Sequence, residues 1–399
     1  MTTTQSTTLT AAQWLQDRRM LLLHTDEVQH IPDALRSVGG LVLTGAEAAH
    51  VGRQLRLHSP GLPLLVQVES PTRGFATPSD PYLFGCDNEL FPIDLANYVK
   101  AQLDCGNEYV LSPTGFLPSH DRAALRAVLT TSNAVESDRL IVTLPIDASW
   151  LRPNRVRQLA AVVQRCKHPV AIALGSDSKP LDTDTAGGLL YLLAMSPTIS
   201  VLFADHLVGC EVAARSRGMV AVGLVPSRRR VTPPGEQPKS FRSERRRPHV
   251  LHEPLHRVLG PKTVDDWWAN STAPACGSCC TNVSLADYTN SSADLAAALL
   301  HNAASTLRML ASVSVGSTTD RVLALADRYE RAELEHERVS LQLKRRIRPE
   351  PAQQVLARKA LGQRATIART AAQQTATAVP NAVAPQTAPQ AAPAQRPPR

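Results

Sequence analysis

The chain has 399 residues, 43% hydrophobic but only 4% aromatic, with a net charge of +8. That length holds one barrel of about 250 residues plus additions, with a core filled mainly by Leu, Val and Ala. Seven cysteines, an odd number, argue against a disulfide framework. The opening stretch MTTTQSTTLTAAQW lacks the parts of a secretory signal, and no run reaches the ~18 apolar residues of a membrane span, so a soluble cytoplasmic protein is expected.

Residues 1–15 read as a short leader. Eight apolar runs follow, each ending in or just before a small, polar or acidic residue: Met20–Asp26, Gly39–Gly45, Leu62–Glu69, Tyr109–Gly115, Leu140–Asp147, Pro169–Gly175, Ile199–His206 and Met219–Pro226. Continuous Leu- and Val-rich runs, as opposed to strict alternation, mark strands buried on both faces. Helix-length gaps such as Arg122–Ser132 and Arg155–Cys166 separate most of them. Strand and helix repeated eight times predict an α/β (β/α)8 TIM barrel over residues 16–248, with its chemistry at the C-terminal strand ends. Ser70–Asp104, dense in Pro, Gly, Ser and Thr in its first half, is too long for a plain connection and is expected as a loop walling the barrel mouth.

After the eighth run the character changes. Between Arg228 and Arg246 stand seven Arg or Lys against two Glu, an exit segment spanning 227–248. Residues 249–315 carry His249, His252, His256, Trp267, Trp268 and a cysteine cluster, then an Ala/Leu-rich helix over Ala293–Leu310. A charged helical arm, 316–372, is expected to be solvated or to meet a partner, another protein or a second copy, through 320–346. The Ala/Pro/Gln-rich residues 373–399 are expected to be disordered.

In Pro274–Cys280 (PACGSCC), Cys276 and Cys279 form a Cys-x-x-Cys pair with Cys280 adjacent, and His301 follows on a helix-forming run. A Cys-x-x-Cys turn directs both sulfurs into one tetrahedron, so Cys276, Cys279, Cys280 and His301 are expected to bind Zn2+. Adjacent ligands at 279 and 280 are sterically awkward, which leaves His252 or His256 as an alternative fourth ligand.

This segment, with the His301–Asn302 pair and the upstream MVAVGLVPSRR, resembles the region after the last barrel strand of tRNA-guanine transglycosylases. The resemblance covers about residues 199–312. It implies a zinc-bearing barrel that exchanges guanine or a 7-deazaguanine base in tRNA, other RNA or DNA. Two departures stand out. The family's first cysteine falls at Pro274, and its nucleophilic aspartate falls within Ala221–Gly223, where no carboxylate stands.

Base exchange at an anomeric carbon calls for two carboxylates, one to trap the sugar and one to move protons. Asp26, Glu69, Asp147, Asp177 and Asp205 stand at strand ends. Asp205, with His206 beside it, is the first candidate and Asp147 the second, although a strand-end Asp also suits a helix cap. Arg228, Arg229 and Arg230, with Arg245, Arg246 and Arg247, are candidates for phosphate contact, because the guanidinium fork bonds phosphate bidentately. A flipped base would stack on Phe75, Tyr82, Trp267 or Trp268. The Gly187–Gly188 pair is expected to let a helix pack closely. The HEPLH run at 252–256 is not expected to be a zinc-protease helix, since Pro254 interrupts it. The expected activity is base exchange. The alternatives are a non-catalytic nucleic-acid-binding paralogue and an unrelated barrel enzyme acting on a small molecule.

Overall fold

The computed structural model describes residues 9–67, 72–84, 93–176, 179–236, 248–277, 279–280, 282–289 and 295–378. The eight runs form eight parallel strands: β1 Arg19–His24, β2 Leu41–Thr44, β3 Leu64–Gln67, β4 Val110–Leu111, β5 Leu140–Asp147, β6 Val170–Gly175, β7 Ser200–Ala204 and β8 Val220–Gly223. Their order is β3-β2-β1-β8-β7-β6-β5-β4, with β1 laddered to β8 (Leu21 opposite Val222), so the sheet closes on itself except between β3 and β4. β4 is only two residues long. The chain beyond it instead takes partners from the mouth loop: Ala76 N–H donates to Phe116 O, Phe116 N–H to Gly74 O, and Leu83 N–H to Pro113 O. Gly115 lets the two segments approach, because a Cβ there would meet the backbone nitrogen of Ala76 at 2.5 Å. The loop expected to wall the mouth thus also bridges the open seam of the barrel.

The first helices are α1 Ala11–Leu15, α2 Asp33–Gly39, α3 Ala48–His58, α4 Leu95–Asp104, α5 Arg122–Ala134, α6 Val156–Val163, α7 Thr183–Met195 and α8 His206–Arg215. Two of them revise the expected organisation. The second half of the 70–104 loop is a helix, α4, begun by Asp94, whose carboxylate accepts from Asn97 N–H. The supposed leader contains α1, which puts Ala11, Trp14 and Leu15 into the same buried column as Met20, Leu22, Ile141, Ala171 and Ala221 inside the barrel. Its Trp14 ring lies 4.8 Å from that of Tyr109, so α1 plugs the N-terminal end of the barrel. Gly188 on α7 sits against the backbone of Leu151 with no room for a Cβ, whereas Gly187 faces open space.

Past β8 come the hairpin β9 Val250–His252 and β10 Arg257–Leu259, then α9 Pro261–Trp268, α10 Leu285–Thr289, α11 Leu295–Ser312, α12 Thr318–Gln342 and α13 Pro351–Ala378. Helix α11 packs Leu299, Ala303 and Leu307 against Leu21, Leu23 and Leu41 of β1 and β2. It therefore fills the shell position of the eighth barrel helix, and residues 249–294 are an insertion between β8 and that helix. The charged arm is not solvated all round. Along α12, Val322, Leu325, Ala326, Tyr329, Ala332 and Val339 are buried, and the helix lies on α8 and α13. Tyr329 Oη donates to the Glu211 carboxylate at 2.7 Å, and Arg215 pairs with the same group, so the buried charge on α8 is fully engaged. Residues 373–378, expected to be disordered, continue α13; 379–399 lie outside the described residues. Among the described residues no helix is long and apolar enough to cross a membrane.

Candidate metal centre and barrel mouth

Four of the residues singled out from the sequence come together. One donor atom each of Cys276, Cys279, Cys280 and His301 lies within 4.8 Å of all the others. Cys279 Sγ is 3.2 Å from Cys276 Sγ, 3.2 Å from Cys280 Sγ and 3.2 Å from His301 Nδ1, and Cys280 Sγ is 3.5 Å from that nitrogen. Sulfurs placed ~2.3 Å from a central tetrahedral ion stand about 3.8 Å apart. The Cys279 contacts are somewhat shorter than that, and the four donors are gathered closely enough that they could hold one metal ion. The adjacent Cys279 and Cys280 both point into this cluster, and His252 and His256 do not belong to it.

Local backbone chemistry builds the cluster. Cys276 N–H donates to Val283 O and Val283 N–H to Cys280 O, which folds 276–283 into a knuckle turned by Asn282 at a φ of 61°. Pro274, unable to ligate, accepts Leu285 N–H at the knuckle's base. The Cys279 N–H points at Cys276 Sγ (3.5 Å), a contact that stabilises a thiolate. Burial opposes ionisation of Cys279, but hydrogen bonds with Ser305, Cys280 and Cys276 outweigh it and hold its thiol below the usual cysteine value. On the other side, His301 Nε2 donates to Leu251 O at 2.9 Å, which leaves Nδ1 unprotonated towards the sulfurs, and Tyr288 stacks on the ring at 4.9 Å. Next to it Asn302 accepts Leu251 N–H (2.8 Å) and donates to His249 O (2.9 Å), tying α11 to the β9 hairpin. The HEPLH run is a 3-10 turn, Glu253–Leu255, without an α-helix, as Pro254 dictates.

The barrel mouth is arranged differently. The Asp205 carboxylate caps α8 by accepting from Val208 N–H at 2.8 Å. Asp147 caps the turn Ala148–Leu151, accepting from Ser149 N–H (2.7 Å) and Ser149 Oγ (2.6 Å). Both remain partly exposed at the C-terminal strand ends. His206 is buried, and its Nε2 donates to His256 O at 2.6 Å. Asp26 is exposed and paired with the His24 ring, while Glu69 and Asp177 lie outside the described residues.

At the end of β8, Gly223 abuts the Arg228 backbone too closely for any side chain. Arg229 donates to Gly223 O (3.0 Å) and Leu224 O (2.8 Å); burial lowers its pKa to about 10 against the raising influence of Asp205. The exit segment then crosses the strand ends, where Val231 N–H donates to Leu174 O. Val231 and Phe116, whose ring covers Gly175, top the inner column of the barrel.

Of the expected cations, Arg229 therefore serves the fold, Arg228 and Arg230 are partly buried, and Arg245, Arg246 and Arg247 lie outside the described residues. Three of the four proposed stacking rings are also taken. Tyr82 is buried and hydrogen-bonded to Ser132 Oγ and Val128 O, and Trp267 and Trp268 are buried against each other, whereas Phe75 is 46% exposed.

The fold and the site define a TIM-type α/β barrel with a Cys3His knuckle inserted before its last shell helix. No protein-family model, curated protein or solved structure matches the chain.

Proposed function

We propose that the chain is a zinc-bearing, transglycosylase-like barrel that binds nucleic acid without exchanging its bases. The observation that carries this reading is the end of β8. Ala221 and Val222 are buried apolar residues and Gly223 is walled off by Arg228, at the place where the transglycosylase resemblance implies a nucleophilic carboxylate. The capping roles of Asp205 and Asp147 support it, since a cap accounts for an acid at each of these strand ends without base exchange. Zinc suits three thiolates and an imidazole at tetrahedral spacing, and four protein ligands leave no open position for water, the mark of a structural site. Nucleic acid suits the net charge of +8, with a cytoplasmic protein meeting tRNA or DNA as its polyanion.

A second reading keeps guanine or 7-deazaguanine exchange, with Asp205 and Asp147 as the carboxylate pair. Their shared position at C-terminal strand ends favours it. Labelled guanine incorporation into tRNA and duplex DNA, measured beside binding of the same polymers, decides between the two. Binding without incorporation is expected. Incorporation that disappears in Asp205→Asn would establish exchange instead.

A further inference from the structure

We infer that a cleft at the inserted subdomain is a phosphate-binding site for a nucleic-acid strand. It rests on the nucleic-acid reading above and names the surface that carries it. The cleft lies between α9 and the turn joining α12 to α13, encloses about 310 Å3, and is lined by Arg257, Arg345, Arg346 and Arg348 with Asp266 and Trp267. Four arginines thus line one recess against one acidic residue in its wall.

The turn is built to present them. Lys344 adopts a left-handed conformation (φ 49°), Arg345 N–H returns to Ser340 O, and Ile347 N–H donates to Ser340 Oγ at 2.8 Å. Ile347 is buried in the same apolar cluster as Trp267, Leu285 and Tyr288, so it pins the turn while its neighbours Arg346 and Arg348 stay exposed. Arg257 lies over the Trp267 ring at 5.2 Å and stands 3.8 Å from Glu350. Arg345, Arg346 and Arg348 have no ion-pair partner among the described residues. Three unpaired like charges within four residues repel one another, and an anion bound between them relieves that cost. The recess reaches the lower end of the ~300–1,000 Å3 typical of ligand sites, more room than a lone phosphate fills, and the planar fork of arginine matches phosphodiester oxygens bidentately.

The test uses the full chain, with fluorescence anisotropy on labelled tRNA and on duplex DNA across a salt series. The triple variant Arg345→Gln/Arg346→Gln/Arg348→Gln is compared with Arg358→Gln/Lys359→Gln, two exposed cations in a separate cleft on α13. The triple variant is expected to bind at least tenfold more weakly, with a salt slope shallower by roughly 2–3. The control pair should change affinity about twofold or less, and the triple Arg→Lys variant should recover part of the loss. Unchanged melting and metal content check that the triple variant is folded.

Equal losses in the triple variant and the control, or wild-type binding by the triple variant, overturn the cleft and leave the nucleic-acid reading standing. A wild-type chain that binds neither polymer overturns both. Direct binding of pyrophosphate by the wild-type chain, lost in the triple variant, without any binding of polymer assigns the cleft to a small phosphorylated ligand and overturns the nucleic-acid claim.

Discussion

The Asp205 carboxylate accepts the backbone N–H of Val208 at 2.8 Å, closing the first turn of α8 where β7 ends. That cap occupies one oxygen of the carboxylate, Oδ1, and ties the side chain to the start of α8. Asp205→Ala is therefore expected to cost about 1 kcal/mol in chemical denaturation, within the range for lost N-caps. Asp205→Asn should be nearly neutral, since Asn caps as well as Asp. A loss of base exchange in Asp205→Asn at unchanged stability would show a chemical role instead.

Gly188 gives a second prediction. Because a Cβ at this position would overlap the Leu151 backbone, Gly188→Ala must push α7 away from the turn before α6. About 2 kcal/mol of destabilisation is expected by thermal or urea unfolding, in line with overpacked cores. Gly187→Ala, facing open space, should instead stabilise slightly through helix propensity.

Acid should loosen the seam between the barrel and the α12 layer. Arg328 Nε donates to His256 Nε2 at 3.0 Å, which requires a neutral ring there, and His206 donates to His256 O beneath it. Burial depresses both histidines below their ordinary value. Arg328, His206, Arg331 and His336 add to the effect at His256, while at His206 Asp205 works against it and Arg229 with it. A histidine whose folded pKa is lowered takes up its proton only in the unfolded chain. Its stability contribution is therefore complete above the unfolded value of about 6.5 and is lost as pH falls below it. Melting measured from pH 7.5 down to 5 should fall by up to about 1.4 kcal/mol per pH unit for each such ring. His256→Gln should flatten that slope; an unchanged slope would assign the acid sensitivity elsewhere.

The eight strands were legible because burial on both faces writes continuous apolar runs such as LIVTLPID over β5, and their order follows from the parallel repeat. The candidate metal cluster was legible from Cys-x-x-Cys spacing, although only the fold resolves Cys280 over His252, because knuckle geometry, not sequence distance, turns both neighbouring sulfurs inward. Other features were hidden for physical reasons. A strand-end Asp reads the same whether it caps or reacts, so Asp205 and Asp147 were ambiguous until their N–H partners were seen. The stripe of Val322, Leu325, Tyr329, Ala332 and Val339 is diluted by charges on the other faces of α12, so a helix docked on its own barrel read as a solvated or partner-binding arm. The plug formed by Trp14 and Leu15 occupies too few residues to show a period. The Arg345–Arg348 turn gained meaning only when folding set it beside Arg257, distant in sequence.

Because His301 reaches both the cysteine knuckle and the β9 hairpin, metal should hold the inserted subdomain on the barrel. The most direct measurement of this account is elemental analysis of the purified chain beside Cys279→Ser, with Cys105→Ser, an exposed cysteine outside the cluster, as control. About one zinc per chain in wild type and Cys105→Ser, lost in Cys279→Ser together with several degrees of melting temperature, is the predicted result. A wild-type chain without metal, or a Cys279→Ser chain that keeps its zinc, would contradict the account at its centre.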